Sequence, residues 1–444
     1  SFPTRRSSDL LFGWSLVEGL GAVLVIPAIV ALIAANYAGK DRVVAYGIVG
    51  AAAGAAVAAG PLIGGAVTTY LTWRYVFAAE TITVVIIFFF FIRYIKDIGT
   101  TVKVKIDIPS VVLSASGLFL IVLAILQAKV WGWIQPMAAP VINGNSITPF
   151  GFSVVPFMIL SGVIVLWFFL RRQNQLKESG GSPLLDTELL KISQLQSGLS
   201  NTTIQYLLTA GLFFIMPIYL QMVLGLDALS TGMKIFPLSV SLIIFSLLGA
   251  HMVSKFSPKK IIIGGKILIV AGMLTLLYSI TPELESGWFK IGMLLVGAGV
   301  GLLASQVGNV IVSATDESKS SEAGGLQGTF QNLGSSLGTA LIGTVLIASL
   351  TTGFVAKTTG ASSTLPVEVQ QYIKDNSSKG APVVSKDDVY NFGIENGLTT
   401  EVSQQLSDDY LSAQMDSLKE SMLALTFLAV LGLLFSRKLP DKVI

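Results

Sequence analysis

Eleven separate stretches of about 20 apolar residues run along this chain, and a water-soluble fold has no way to bury them all. A helix needs about 20 such residues to cross the hydrocarbon core of a bilayer. Windows that meet this requirement fall near 11–35, 43–68, 76–93, 109–128, 151–170, 200–224, 230–253, 261–281, 290–312, 325–350 and 418–436. Of the 444 residues, 52% are hydrophobic and 12% charged, about half the charged share of ordinary soluble domains. Lipid is therefore the main solvent. Backbone groups in lipid must bond within their own segment, so the spans are helices and the fold class is all-α, a polytopic membrane protein.

Basic residues set the orientation, because cytoplasmic loops carry an excess of Lys and Arg. Alternate loops and the C-terminal tail hold 17 of them, from Lys40 and Arg42 to Arg437, Lys438 and Lys442. The short loops of the other set hold three: Arg74, Lys129 and Lys290. The expected topology places the basic loops and the C-terminus in the cytoplasm, with the chain in the inner (cytoplasmic) membrane as a multi-pass protein. Residues 351–417 then lie outside, as an acidic loop with nine carboxylates against four lysines. Ser385 precedes Asp388 by three, which predicts a capping box, and 400–417 predicts an amphipathic helix.

Residues 1–9, SFPTRRSSD, are polar and abut a span without a connecting turn. They read as a non-native, adapter-derived scar. Residue 10 would sit outside, which predicts an odd number of further helices upstream. The expected organisation is 10–107 as the remainder of an N-terminal helical half, 108–199 as a central extra helix pair with a cytoplasmic linker, and 200–444 as the C-terminal half.

Several function classes drop out. The chain has no cysteine and one histidine, His251, so thiolate metal sites, His clusters and His-based triads are absent. No phosphate-binding Gly-x-x-x-x-Gly-Lys-Ser/Thr occurs. Neither an enzyme, a metal nor an organic cofactor is expected. The net charge of +3 gives no reason to invoke nucleic acid.

The segment 47–65, GIVGAAAGAAVAAGPLIGG, is almost entirely glycine and alanine. Small side chains let helix backbones approach closely, and Gly60-Pro61 removes a backbone hydrogen bond and permits a kink. Gly47, Gly60-Pro61 and Gly64-Gly65 resemble the fifth-helix antiporter motif of the major facilitator superfamily, with Ala56 where a further glycine is expected. Trp73-Arg74 and Val76-Phe77 resemble the WR-x-x-F that follows it in drug:proton antiporters. Glu18-Gly19-Leu20-Gly21-Ala22 resembles the fourth-helix motif, with Ser15 in place of its arginine and Glu18 in place of its glutamine. Tyr219-Leu220-Gln221, Leu224-Gly225, Thr231-Gly232 and Pro237 resemble the first hairpin of the C-terminal half. Gly297, Gly299, Gly301, Gly334 and Gly338 fit its late glycine-rich helices. The loop 249–260 resembles the family's basic loop motif, with Val253 or Ser254 where its aspartate stands.

The resemblance is to the fourteen-helix drug:proton antiporter branch, with eleven helices present of fourteen. It implies a secondary transporter that exports amphipathic, cationic compounds against proton entry by alternating access. The proton motive force would be its energy source. It also implies a monomer whose partners are a small-molecule substrate, protons and the bilayer, and a hinge at Gly47, Gly60, Pro61, Gly64 and Gly65.

Charged groups inside spans are costly and usually face a cavity or a partner. Glu18 lies deep enough to exchange a proton or pair with a cation. Glu80, one turn inside the outer face, can do so or reach the headgroups. Asp227 and Lys234 lie near the outer end of their hairpin, as a mutual pair or as gate residues. Lys266 is expected to extend to the cytoplasmic surface. Gln205, Gln221, Gln306, Asn309, Gln327, Gln331 and Asn332 are candidates to line a cavity or to bond between helices. Two other readings stay open: a same-fold transporter of one metabolite, and a non-transporting scaffold or sensor that uses loop 351–417.

Overall fold

The computed structural model describes residues 36–72, 74–94, 107–142, 145–284, 286–316, 319–360, 365–377, 380–436 and 439–441, with scattered positions between 17 and 33. The helices are α1 (Gly39–Tyr70), α2 (Arg74–Tyr94), α3 (Ile108–Trp131), α4 (Val154–Glu178), α5 (Ser193–Pro217) and α6 (Ala228–Met252). They continue with α7 (Pro258–Ser279), α8 (Ser286–Val312), α9 (Ser320–Thr359), α10 (Val367–Asn376), α11 (Lys386–Glu395) and α12 (Thr400–Gly432). A two-residue antiparallel ladder, Val141↔Ser146 and Ile142↔Asn145, decorates the α3–α4 connection. Nine described helices are long and apolar enough to cross a membrane. To these α1 adds 32 residues, about 48 Å of helix. The expected first span, 11–35, lies largely outside the described residues.

Side chains that satisfy free backbone N–H groups set the helix starts. Asp107 accepts from Ser110 N at 3.2 Å to open α3, Ser153 accepts from Val155 N at 3.2 Å to open α4, and Asp227 accepts from Ser230 N at 2.6 Å to open α6. α3 stops at Gly132 (φ +83°), where a side chain would run into the Gln135 carbonyl. α5 passes through Pro217 into a π-helical turn, Ile218–Val223. There Tyr219, fully buried, donates to Thr281 O at 2.7 Å and fastens this turn to the end of α7.

Packing is densest around α8, which lies against α6 on one side and α7 on the other and also meets α1 and α5. A second cluster joins α5, α9 and α12. The pair α3 and α4 is central in sequence but peripheral in space. It docks through α3 on α9, where Trp133 Nε1 donates to Thr344 Oγ1 at 3.0 Å. The Lys129 ammonium lies 5.4 Å from the Phe214 ring centroid of α5.

Three expectations change. The stretch 351–417 is mostly helix rather than loop: α9 runs to Thr359, α10 and α11 follow, and α12 begins at Thr400. Lys419 and Glu420, which open the expected 418–436 span, lie within α12, because the amphipathic segment and the span share one unbroken helix. Lys266 does not reach the surface. It is 2% exposed and donates to Gly432 O at 2.5 Å and Ser436 Oγ at 2.9 Å. Acceptors at the end of α12 are within hydrogen-bond reach of the buried ammonium, so it need not extend to the surface. Finally, α1 continues through Gly60 and Pro61 without a break in its helical backbone.

Candidate functional site

α1 lies antiparallel along α6, and small residues set the spacing over its whole length. A Cβ on Gly47 would stand 2.8 Å from Ala250 Cβ, one on Gly54 would stand 2.6 Å from Leu242 Cδ2, and one on Gly65 would stand 2.8 Å from Leu229 N. Across this seam Ser246 Oγ donates to Gly47 O at 2.9 Å in a buried hydrogen bond. Gly60 and Gly64 are different: nothing lies within 4 Å of a Cβ placed on either. The motif glycines therefore divide into Gly47 and Gly65, which the contact requires, and Gly60 and Gly64, which it does not.

α8 closes the seam from the third side. A Cβ on Gly301 would stand 2.5 Å from Leu242 O, and one on Gly308 would stand 2.7 Å from the Tyr46 ring of α1. Ser241 Oγ donates to Leu294 O at 2.6 Å, and Gln306 Nε2 donates to Gly249 O at 2.9 Å. Both bonds join α6 to α8. Three buried polar atoms here find no partner among the described residues: Gln306 Oε1, Asn309 Nδ2 and Tyr46 Oη. Each such atom costs about 1–3 kcal/mol when buried dry.

The remaining candidates are scattered. Gln221 is half-buried on the π-helical turn and Gln331 is buried on α9. Gln205 is buried on α5. Asp227 caps α6, and the Ser230 N–H holds its carboxyl below the usual carboxylate range. Lys234 is half-buried nearly two turns into α6, and Glu80 is exposed on α2. His251 is exposed, with Nδ1 donating to Leu247 O at 2.9 Å. Glu18, Ser15, Trp73 and the side chain of Pro61 lie outside the described residues. No group of three or more His, Cys, Asp or Glu able to hold a metal occurs among the described residues.

An ionic latch covers the face with the basic loops. Arg172 forks onto Asp107 at 2.7 and 2.8 Å. Its guanidinium, with help from Ser110, holds that carboxyl well below the usual range. Asp186 of the linker bonds Lys177 at 2.8 Å and Lys319 at 2.5 Å, and these two ammonium groups hold its carboxyl down in the same way. Its backbone N–H donates to Glu322 Oε2 at 2.7 Å.

Sequence reasoning missed Tyr46, Ser246 and Ala250 and misplaced Lys266. Ser246, Gly249 and Ala250 do carry a signal, since small residues at i, i+3 and i+4 form one helix stripe. Nothing local marks Tyr46, which matters because Gly308 of another helix makes room for it.

Known proteins extend these observations. The tetracenomycin C resistance and export protein of Streptomyces glaucescens is 28% identical over 344 residues, 75% of this chain and 58% of that protein. The "Probable actinorhodin transporter" of Streptomyces coelicolor is 26% identical over 343 residues, 76% and 56% respectively. The lincomycin resistance protein LmrB of Listeria monocytogenes is 24% identical over 339 residues, 75% and 66% respectively. The chain thus spans less than two thirds of the length of each. These relatives are transporters and not enzymes. The sequence profile of the Major Facilitator Superfamily matches residues 2–339, and with its bundle of long apolar helices the chain belongs to that superfamily.

Proposed function

We propose that this protein exports amphipathic, cationic compounds in exchange for inward protons, by alternating access across the seam of α1, α6 and α8. The carrying observation is the seam itself. It is close-packed through glycine, yet it buries Gln306 Oε1, Asn309 Nδ2 and Tyr46 Oη without described partners. A permanent interface gains nothing from such atoms. An interface that parts in each cycle hydrates them in its open state, where they line the path. The names of the relatives, resistance and export proteins for antibiotics, support efflux as the direction. Gly60 and Gly64 flank Pro61, with open space around a Cβ placed on either, and serve with it as the hinge.

Glu18 is the group assigned to proton exchange. Glu80, exposed on α2, solvates the membrane boundary. The proton motive force supplies the energy, in the cytoplasmic membrane, with the C-terminus on the side of the basic loops and the monomer as the working unit. The test is substrate-driven proton release from everted vesicles that hold the complete transporter. Glu18→Gln abolishes it on this reading. Unchanged release in that variant overturns the assignment, and release by no substrate in the native protein overturns the antiport mechanism.

A further inference from the structure

The described residues of 351–417 build a folded cap with a cavity of its own. The cap consists of α10, α11 and the outer turns of α9 and α12, and it is held by bonds that leave little play. Ser385 and Asp388 close a reciprocal capping box at the start of α11. Tyr410 Oη donates to Pro382 O at 2.7 Å and accepts from Val384 N at 3.0 Å. Ser407 Oγ donates to Lys386 O at 2.9 Å, and Ala381 N donates to Thr351 Oγ1 at 2.8 Å. Phe354 meets Tyr410 edge to face, with centroids 5.5 Å apart.

Between α10 and α11 these elements enclose about 680 Å³, within the range of roughly 300–1,000 Å³ typical of small-molecule sites. The walls are mainly apolar and carry four aromatic rings: Phe354, Tyr372, Phe392 and Tyr410. Two carboxylates, Glu368 and Asp388, belong to the lining, and among the described residues no lysine or arginine does. Asp388 is engaged by Ser385. Glu368 is exposed, and its carboxylate makes no hydrogen bond or ion pair with a side chain of any described residue. Aromatic faces attract cations, and a carboxylate at the mouth adds to that attraction.

We propose that the cap cavity is a binding site for a small amphipathic monocation, whose apolar body lies among the aromatic walls and whose charge faces Glu368. The inference stands on the cap's geometry and on neither the direction nor the energy source of transport.

The chain has no cysteine, so Ser377→Cys, on the cavity lining, gives one unique thiol. The experiment measures its maleimide labelling rate in the full chain, in nanodiscs of zwitterionic lipid, with tetraphenylphosphonium as the probe. Saturating probe slows labelling at least about fivefold. Adding Glu368→Gln raises the half-protecting concentration by about fivefold, and neutral triphenylphosphine oxide protects more weakly than the cation by a similar factor. Asn396→Cys, beside the opposite wall, repeats the measurement should the first variant misfold. Two results overturn the proposal. One is no protection at either position while the preparation still binds the probe elsewhere. The other is equal protection by the neutral compound with no effect of Glu368→Gln, which marks a purely apolar or lipid-filled pocket. Because the readout is local to the cap, a failed Glu18→Gln test leaves it unaffected.

Discussion

Helices α2 and α8 are both long and apolar enough to span a bilayer, and α2 is the more hydropathic. Yet 78% of the α8 window is buried in the protein, and none of the α2 window is. α2 contains no glycine and carries Phe88, Phe89, Phe90 and Phe91 in a row. α8 contains six glycines and the amides Gln306 and Asn309. In water the more apolar segment goes inside. In lipid apolarity earns no burial, because the tails are as apolar as leucine, and small size and polarity select the core instead. This pair of helices illustrates the inversion within one chain.

The comparison breaks most sharply at Gly297. A Cβ there would collide with the Leu238 carbonyl, a backbone atom of α6 that has no rotamer to move. Gly297→Leu is expected to cost more than about 3 kcal/mol, at the top of the overpacking range. The readout is loss of the monodisperse peak on size exclusion in mild detergent.

A second intervention tests whether the α1–α6 seam must open. In the cysteine-free background, Gly47→Cys with Ala250→Cys places two sulfurs across it, the Cβ positions needing to part slightly to reach disulfide spacing. Oxidation is expected to reduce substrate efflux to the vesicle background, and reductant to restore it.

Asp186 sharpens the contrast between groups in lipid and groups in water. Its carboxyl is held down in the folded state, so its contribution to stability is full above the ordinary carboxylate range near 4. That contribution fades as pH falls through the lowered folded value. Asp186→Asn is expected to cost roughly 1 kcal/mol at neutral pH, and the gap to the native protein should close as melts are taken below about pH 4.

The smallest effect belongs to α2. Phe89 is 65% exposed, so Phe89→Leu exchanges one lipid-facing group for another. It should shift the melting temperature by no more than the change seen with a typical surface substitution, within about 0.5 kcal/mol.

What could be read from the sequence follows the same physics. Spans were legible because 20 apolar residues have one use, and ten of the eleven windows correspond to described helices. The capping box at Ser385 was legible because its chemistry is local, and Asp388 closes it as expected. The length of α12 was hidden, since hydropathy marks where lipid begins and says nothing of a helix that continues into water. The glycine segment announced close packing but not which glycines perform it. That depends on the partner: a Cβ on Gly65 would run into Leu229, while one on Gly64 would enter open space. Lys266 was misjudged because its acceptors, Gly432 O and Ser436 Oγ, lie 166 and 170 residues further along the chain.

That last separation bears on the order in which the protein assembles. When α7 enters the membrane, the acceptors that will hold the Lys266 ammonium have not been synthesised. Asn201 and Ser197 of α5 wait as well, for they bond the same final turn at Ser436 Oγ and Phe435 O. The C-terminal half therefore carries an unmatched lysine and a polar notch through most of its synthesis. It closes only when the turn at Phe435 and Ser436 arrives.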